Sequence, residues 1–386
     1  MMSKHPSPPG NRGALPRIPR SLIRVPTLLL TAAVLFAAAR PVPAQGPDGA
    51  KIPAPEFPMG LKWLNTTALT MQALRGKVVL IDFWEYTCVN CIRTFPYMKA
   101  WHDKYKDKGL VIIGVHTPEF AFAKSLANVD KAVKDFGFKY PIIVDSEMLV
   151  WNAYGNRFWP AKYLIDKDGN ARYFHAGEGA YEATEARIQQ LLKEANPKLE
   201  LPGVMPVIRG TDKPGAVCYP VTPELYMGSL RGGHAGTLAN REGYQSGGRP
   251  VTYRDPGGWQ DGLVYVSGQW KSNEDALITT RESPSPRDYI AIRYHALEVN
   301  SVMRPEDGKP IRLWVYHDGK PVAKKDRGDD VEYDDQGRSF ITVDEPRMYY
   351  IIKNEKFGHH TLRLATAQPG FGIYSFTFVS CEVRKQ

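Results

Sequence analysis

The chain has 386 residues, of which 43% are hydrophobic and 24% charged, with a formal charge of +9. Six of its lysines and arginines, and none of its acids, fall in residues 1–44. The remaining chain carries only +3, which makes no case for a nucleic-acid partner. Only two of the four cysteines lie close together, which excludes the paired-CxxC pattern of a structural zinc site, and the length predicts two domains.

Residues 1–44 read as a secretory signal peptide. A basic stretch with Arg12, Arg17, Arg20 and Arg24 precedes an apolar run over 27–39, too short to span a bilayer comfortably. Val42, Pro43 and Ala44 then offer small residues for cleavage after Ala44. An uncleaved anchor is the rival reading. Export places the protein in the periplasm or on the extracytoplasmic face, an oxidising space.

Residues 45–60, rich in Pro, Gly and Ala, read as an entry linker, and 61–197 follow a β/α rhythm. The apolar, β-branched run 78–84 predicts a buried strand. Ile92, Phe95, Met98 and Trp101 recur at helical spacing within 91–106. A strand at 110–116, a helical pattern over 120–136, a strand at 140–145 and a short helix at 148–154 follow. Strands at 163–166 and 171–176 flank an Asp168-Gly169 turn, and a helix over 182–196 closes the unit before Pro197. Residues 198–217, with Pro202, Pro206 and Pro214, read as an extended linker.

After the linker, residues 218–386 change texture. Short β-rich runs at 262–270, 289–297, 312–317, 339–343, 347–353, 360–366 and 372–381 are separated by turn signals such as Asp318-Gly319, which predicts a β-sandwich. Residues 230–258 are Gly-rich and read as a long surface loop. Cys218 and Cys381 lie near the two ends of this region. Domain termini are often close in space, so a structural disulfide between them is expected.

The chemistry concentrates at Cys88-Val89-Asn90-Cys91. The first cysteine falls at a strand-to-helix junction, where unpaired N–H groups and the helix dipole favour a thiolate and lower the thiol pKa. Cys91 lies one turn on, in reach to close a disulfide. Covalent haem attachment would need His at position 92, which is Ile. Asp82 lies inside the apolar strand. A buried acid there has a raised pKa and suits a proton acceptor for Cys91. Trp159-Pro160 precedes the strand at 163–166. Glu85 is close enough to raise the Cys88 pKa, and 116–119 ends a strand and reads as loop, with a place bordering the site as the alternative. His359 and His360 are neighbours in a strand and face opposite sides, so neither a metal nor another cofactor is expected.

Together, Asp82, the CxxC pair, Pro96 in the following helix and Trp159-Pro160 resemble the thioredoxin fold. The resemblance narrows to TlpA/ResA-like redoxins through Trp84–Thr94, Gly114–Phe120 and Trp159–Asp166. It extends to the soluble C-terminal region of DipZ-type proteins through residues 222–228, 317–322 and 374–378. It implies an α/β thioredoxin-like domain followed by an all-β sandwich of jelly-roll, carbohydrate-binding-module-like type.

It also implies a thiol–disulfide oxidoreductase acting on disulfide-bonded proteins. Cys88 would be the nucleophile, Cys91 the resolving thiol, Asp82 its proton acceptor and Pro160 a cis-proline shaping the groove, with Trp84 and Trp159 lining it. DipZ-type proteins usually carry a membrane domain that feeds electrons to the redoxin. Its absence here implies a separate CcdA/DsbD-like membrane donor. Two alternatives stand beside this reading. A thiol peroxidase of the AhpC/TSA-like kind would use Thr87 and Arg93 but lacks the leading proline. A cell-envelope scaffold would recognise a glycan or protein, with Trp259 and Trp270 as possible sugar platforms.

Overall fold

The structure, a computed structural model, describes residues 52–383. The expected signal peptide lies outside the described residues. No helix among them is long and apolar enough to cross a membrane.

The N-terminal half is a seven-stranded mixed sheet covered by helices. Its elements are β1 (Ile52–Pro53), β2 (Lys62–Leu64), β3 (Val78–Trp84), α1 (Val89–Tyr105), β4 (Leu110–His116), α2 (Leu126–Asp135), β5 (Ile142–Val144), α3 (Leu149–Ala153), β6 (Ala161–Ile165), β7 (Asn170–Ala176) and α4 (Tyr181–Ala195). The strand order is β1-β7-β6-β3-β4-β5-β2. β3 runs parallel to β4 and antiparallel to β6, and all seven of its residues are buried. Strand side chains alternate between faces. Val78, Leu80 and Trp84 therefore join the core with Met98 and Trp101 of α1, while Val79, Ile81 and Phe83 pack with Val150 and Trp151 of α3. The same alternation places Asp82 on the α1 side.

The sequence pattern and the structure differ in places. The helical pattern over 120–136 is broken: a 3-10 turn, Ala121–Lys124, precedes α2, and the Ser125 hydroxyl caps α2 by accepting from the Asn128 N–H. The stretch expected as an entry linker includes β1, which pairs with β7. The proline-rich stretch after α4 is not free. The Tyr97 hydroxyl accepts from the Ile208 N–H at 2.8 Å and donates to Asp212 at 2.7 Å, and the buried Glu185 carboxylate accepts from the Met205 N–H at 3.0 Å. Buried polar groups of α1 and α4 thus take up backbone N–H donors of this stretch.

The C-terminal half is a β-sandwich built from one eleven-stranded network. Two long strands, Asp288–Pro305 and Arg347–Thr366, run antiparallel and change their other partners midway. Residues 289–292 of the first pair with Val264–Ser272, and residues 298–305 with Phe371–Val379. The predicted runs 347–353 and 360–366 are thus one strand. The register slips between Glu298↔Lys353 and Ala296↔Gly358, so the polar stretch between them bulges out without ending the ladder. Residues 298–305 escaped the pattern because Asn300 and Ser301 are buried polar residues flanked by strands on both sides. The 230–258 stretch, expected as irregular loop, holds a helical turn, Arg231–Ala235, and a strand, Val251–Tyr253. Trp270 is fully buried and offers no sugar platform.

The two halves share a core. Tyr374, Met348 and Val302 of the sandwich belong to the same apolar cluster as Tyr86, Phe120 and Phe122 of the first half. Tyr374 meets the Phe122 ring edge-on at 4.8 Å.

Candidate active site

β3 ends at Trp84, and Glu85-Tyr86-Thr87 turns the chain into α1. Glu85 steadies this turn: its buried carboxylate accepts from the Thr87 N–H at 2.7 Å and from the Thr87 hydroxyl. Cys88 is then the N-cap of α1, with extended backbone, and its sulfur accepts from the Cys91 N–H at 3.3 Å. Cys88 is partly exposed, Cys91 is fully buried, and both thiols are free.

The Cys88 thiol is shifted upward, opposite to the direction expected from the helix start alone. Burial pushes the Cys88 thiol above its ordinary value, and the Glu119 and Glu85 carboxylates push it further, against the hydrogen bond from Cys91. The helix terminus acts as expected, but the protein packed over the sulfur removes water that would solvate a thiolate. Burial raises Cys91 well above its ordinary range, and the neighbouring Cys88 adds to the shift.

Asp82 lies beneath the pair, fully buried, with its pKa pushed up to about 6 by burial and held back by Lys162. Lys162 is its direct cross-strand partner in β6, also fully buried, with Nζ 3.7 Å from the Asp82 carboxylate. Among the described residues neither group has a hydrogen-bond partner, so each is the other's main compensation for lost hydration. Lys162 was missed as a site residue. Its signal was a lone cation inside an otherwise apolar strand.

The Trp159–Pro160 peptide bond is cis. The Trp159 indole N–H donates to the Thr117 carbonyl at 3.0 Å, and its ring packs 4.1 Å from that of Trp151. Trp159 lines the cleft at Cys88. Trp84 does not: it is fully buried among Phe95, His116 and Phe138, so it is a core residue and not part of a groove. His116 is likewise buried, 3.7 Å from Glu85, while Glu119 reaches the cleft.

The cleft in front of Cys88 has a volume of about 400 Å³ and is walled by both halves. The sandwich contributes Thr222, Glu224, Tyr226 and Arg231. Arg231 pairs with Glu119 at 2.6 Å and lies 3.8 Å over the Tyr226 ring, whose hydroxyl donates to Glu119 at 3.0 Å. Enclosure raises the pKa of Glu224, and the nearby Glu119 carboxylate adds to this. The sequence marks residues 222–228 as a motif but not as neighbours of the cysteines, because only the packing of the two halves brings them to the sulfur. Among the described residues, no group able to hold a metal includes Cys88 or Cys91.

Far along the chain, Cys218 and Cys381 are disulfide-bonded. They stand opposite each other in the two-stranded pair Val217–Cys218 and Cys381–Glu382.

Comparison with known proteins gives the following. The redoxin family model matches residues 47–192, and the model described as the thioredoxin like C-terminal domain matches residues 222–378. The DipZ protein of Mycobacterium bovis is 33% identical over 331 residues, covering 84% of this chain and 42% of that protein. The chain thus spans about two fifths of the length of that relative. The thiol-disulfide oxidoreductase YkuV of Bacillus subtilis is 31% identical over 142 residues, covering 37% of this chain and 95% of YkuV. The thiol-disulfide oxidoreductase ResA of Bacillus thuringiensis is 32% identical over 128 residues, covering 33% of this chain and 71% of ResA.

Proposed function

Because this chain belongs to the thioredoxin-like redoxins, we propose that it is an exported thiol–disulfide oxidoreductase that reduces disulfides of proteins outside the cytoplasm through Cys88 and Cys91. The observation that carries this reading is the placement of Cys88 at the mouth of α1, with the Cys91 N–H on its sulfur and Asp82 buried below.

The Cys88 thiolate attacks one sulfur of the substrate disulfide. A mixed disulfide forms, and the other substrate sulfur leaves as a thiolate that takes up a proton. Asp82, ionised above about pH 6, accepts the Cys91 proton. Cys91 then attacks the Cys88 sulfur, releases the second substrate thiol and closes the Cys88–Cys91 disulfide. Two electrons pass from the dithiol to the substrate. A second dithiol, on a membrane donor of the CcdA/DsbD-like kind, restores the reduced pair. Pro160 shapes the groove beside Cys88. Residues 1–44 direct export, and residues 61–197 and 218–386 act as redoxin and sandwich domains joined by 198–217.

The reading is tested by insulin reduction. Cys88→Ser is expected to fall to the uncatalysed rate, and Cys91→Ser to accumulate a mixed disulfide with substrate, seen by non-reducing electrophoresis. A Cys88→Ser protein that still turns over insulin overturns it.

A further inference from the structure

His359 and His360 stand on opposite faces of one strand, and each meets a second histidine and an aspartate there. We infer that Asp261, His295 and His359 form a binding site for a zinc-class divalent transition metal on the sandwich, independent of the thiol chemistry. Their ligand atoms all lie within 4.8 Å of one another. Asp261 Oδ2 is hydrogen-bonded to His295 Nδ1, and His359 Nδ1 approaches the same oxygen at 3.9 Å. The His295 and His359 rings lie 5.1 Å apart, brought together by direct cross-strand pairing.

A hydrogen bond between His295 and Asp261 accounts for two of these side chains. It does not account for a second imidazole aimed at the same carboxylate oxygen. His359 makes the longest approach and is also the most exposed of the three, so it closes onto an ion by turning its side chain.

The groups around the cluster support ligation. The second carboxylate oxygen of Asp261 accepts from the Thr222 hydroxyl at 2.6 Å, and that hydroxyl in turn accepts from the His295 backbone N–H at 2.9 Å. Such outer partners fix the orientation of first ligands. Two imidazoles and one carboxylate suit zinc and its neighbours, whereas calcium and magnesium take oxygen sets. Three protein ligands leave a coordination position for water. Thr222 also lines the cleft before Cys88, so an ion held here fastens one wall of that cleft.

The test is equilibrium dialysis of the full chain against zinc chloride, with Cys88–Cys91 oxidised so that the thiols cannot bind zinc. The parent is expected to retain an equivalent of zinc that His359→Ala loses, with affinity down at least ~10-fold. Thr222→Val, which keeps the ligands, is expected to weaken it by about 10- to 100-fold. His360→Ala, on the opposite face with His317 and Asp318, is expected to leave that equivalent in place. Circular dichroism checks that each variant is folded. Cobalt substitution is expected to give visible bands without thiolate charge transfer. A parent that retains no zinc, or a His359→Ala variant that retains as much as the parent, overturns the proposal.

Discussion

Asp82 and Lys162 are two opposite charges in the middle of a sheet, and their balance sets a pH dependence. Asp82 titrates near 6 when folded against 3.8 as its ordinary value, so the folded chain holds this proton more tightly than the unfolded one. The unfolded state ionises first as pH rises. The Asp82 contribution to stability therefore falls between about pH 4 and pH 6, by about 3 kcal/mol for a shift of this size, and is constant above. Urea unfolding across that range is expected to show a steeper fall in the parent than in Asp82→Asn/Lys162→Met, which removes both charges. The single variant Asp82→Asn is expected to slow resolution by Cys91 about 10²-fold, as for loss of a positioned base, measured as the lifetime of the mixed disulfide in stopped flow. Glu119 acts on the other sulfur. Its charge raises the Cys88 pKa. Glu119→Gln is therefore expected to speed iodoacetamide alkylation of Cys88 at neutral pH and to move the alkylation midpoint downward.

Among the elements, α1 presents Cys88 because a cysteine occupies the position where a helix start needs an acceptor. Its burial against β3 follows from apolar spacing on both. α2 shows a different rule. Its preceding residues look helical in pattern, yet the helix begins only where Ser125 provides a cap for the Asn128 N–H. Ser125→Ala is expected to cost about 1 kcal/mol in chemical denaturation, without changing insulin reduction, because α2 contributes no residue to the cleft at Cys88. The long strand Arg347–Thr366 shows how a continuous partner overrides a polar interruption: Asp288–Pro305 holds both of its parts in line across the slip.

At the scale of the molecule, the sandwich is part of the candidate site's surroundings and not a separate appendage. It supplies one wall of the cleft and part of the apolar cluster behind Tyr86. The two halves are therefore expected to unfold in one transition, with redoxin and sandwich probes coincident. The Cys218–Cys381 disulfide closes a loop spanning a sequence separation of 163. Under chain-entropy reasoning its removal in Cys218→Ser/Cys381→Ser costs on the order of 5 kcal/mol at most, read as a lower denaturation midpoint in non-reducing buffer.

The sequence by itself determined the local features: an apolar strand, an acid inside it, two cysteines at a helix start, a proline before a later strand and a β-rich second half. Each follows from spacing and side-chain type, which act over a few residues. Tertiary structure decided what sits around the sulfur. Lys162 reaches Asp82 through strand pairing, and Arg231, Tyr226 and Glu224 reach Cys88 through packing of the halves. That packing also reversed the expected thiol pKa, because the helix terminus is local whereas loss of solvent depends on every segment that closes over the site.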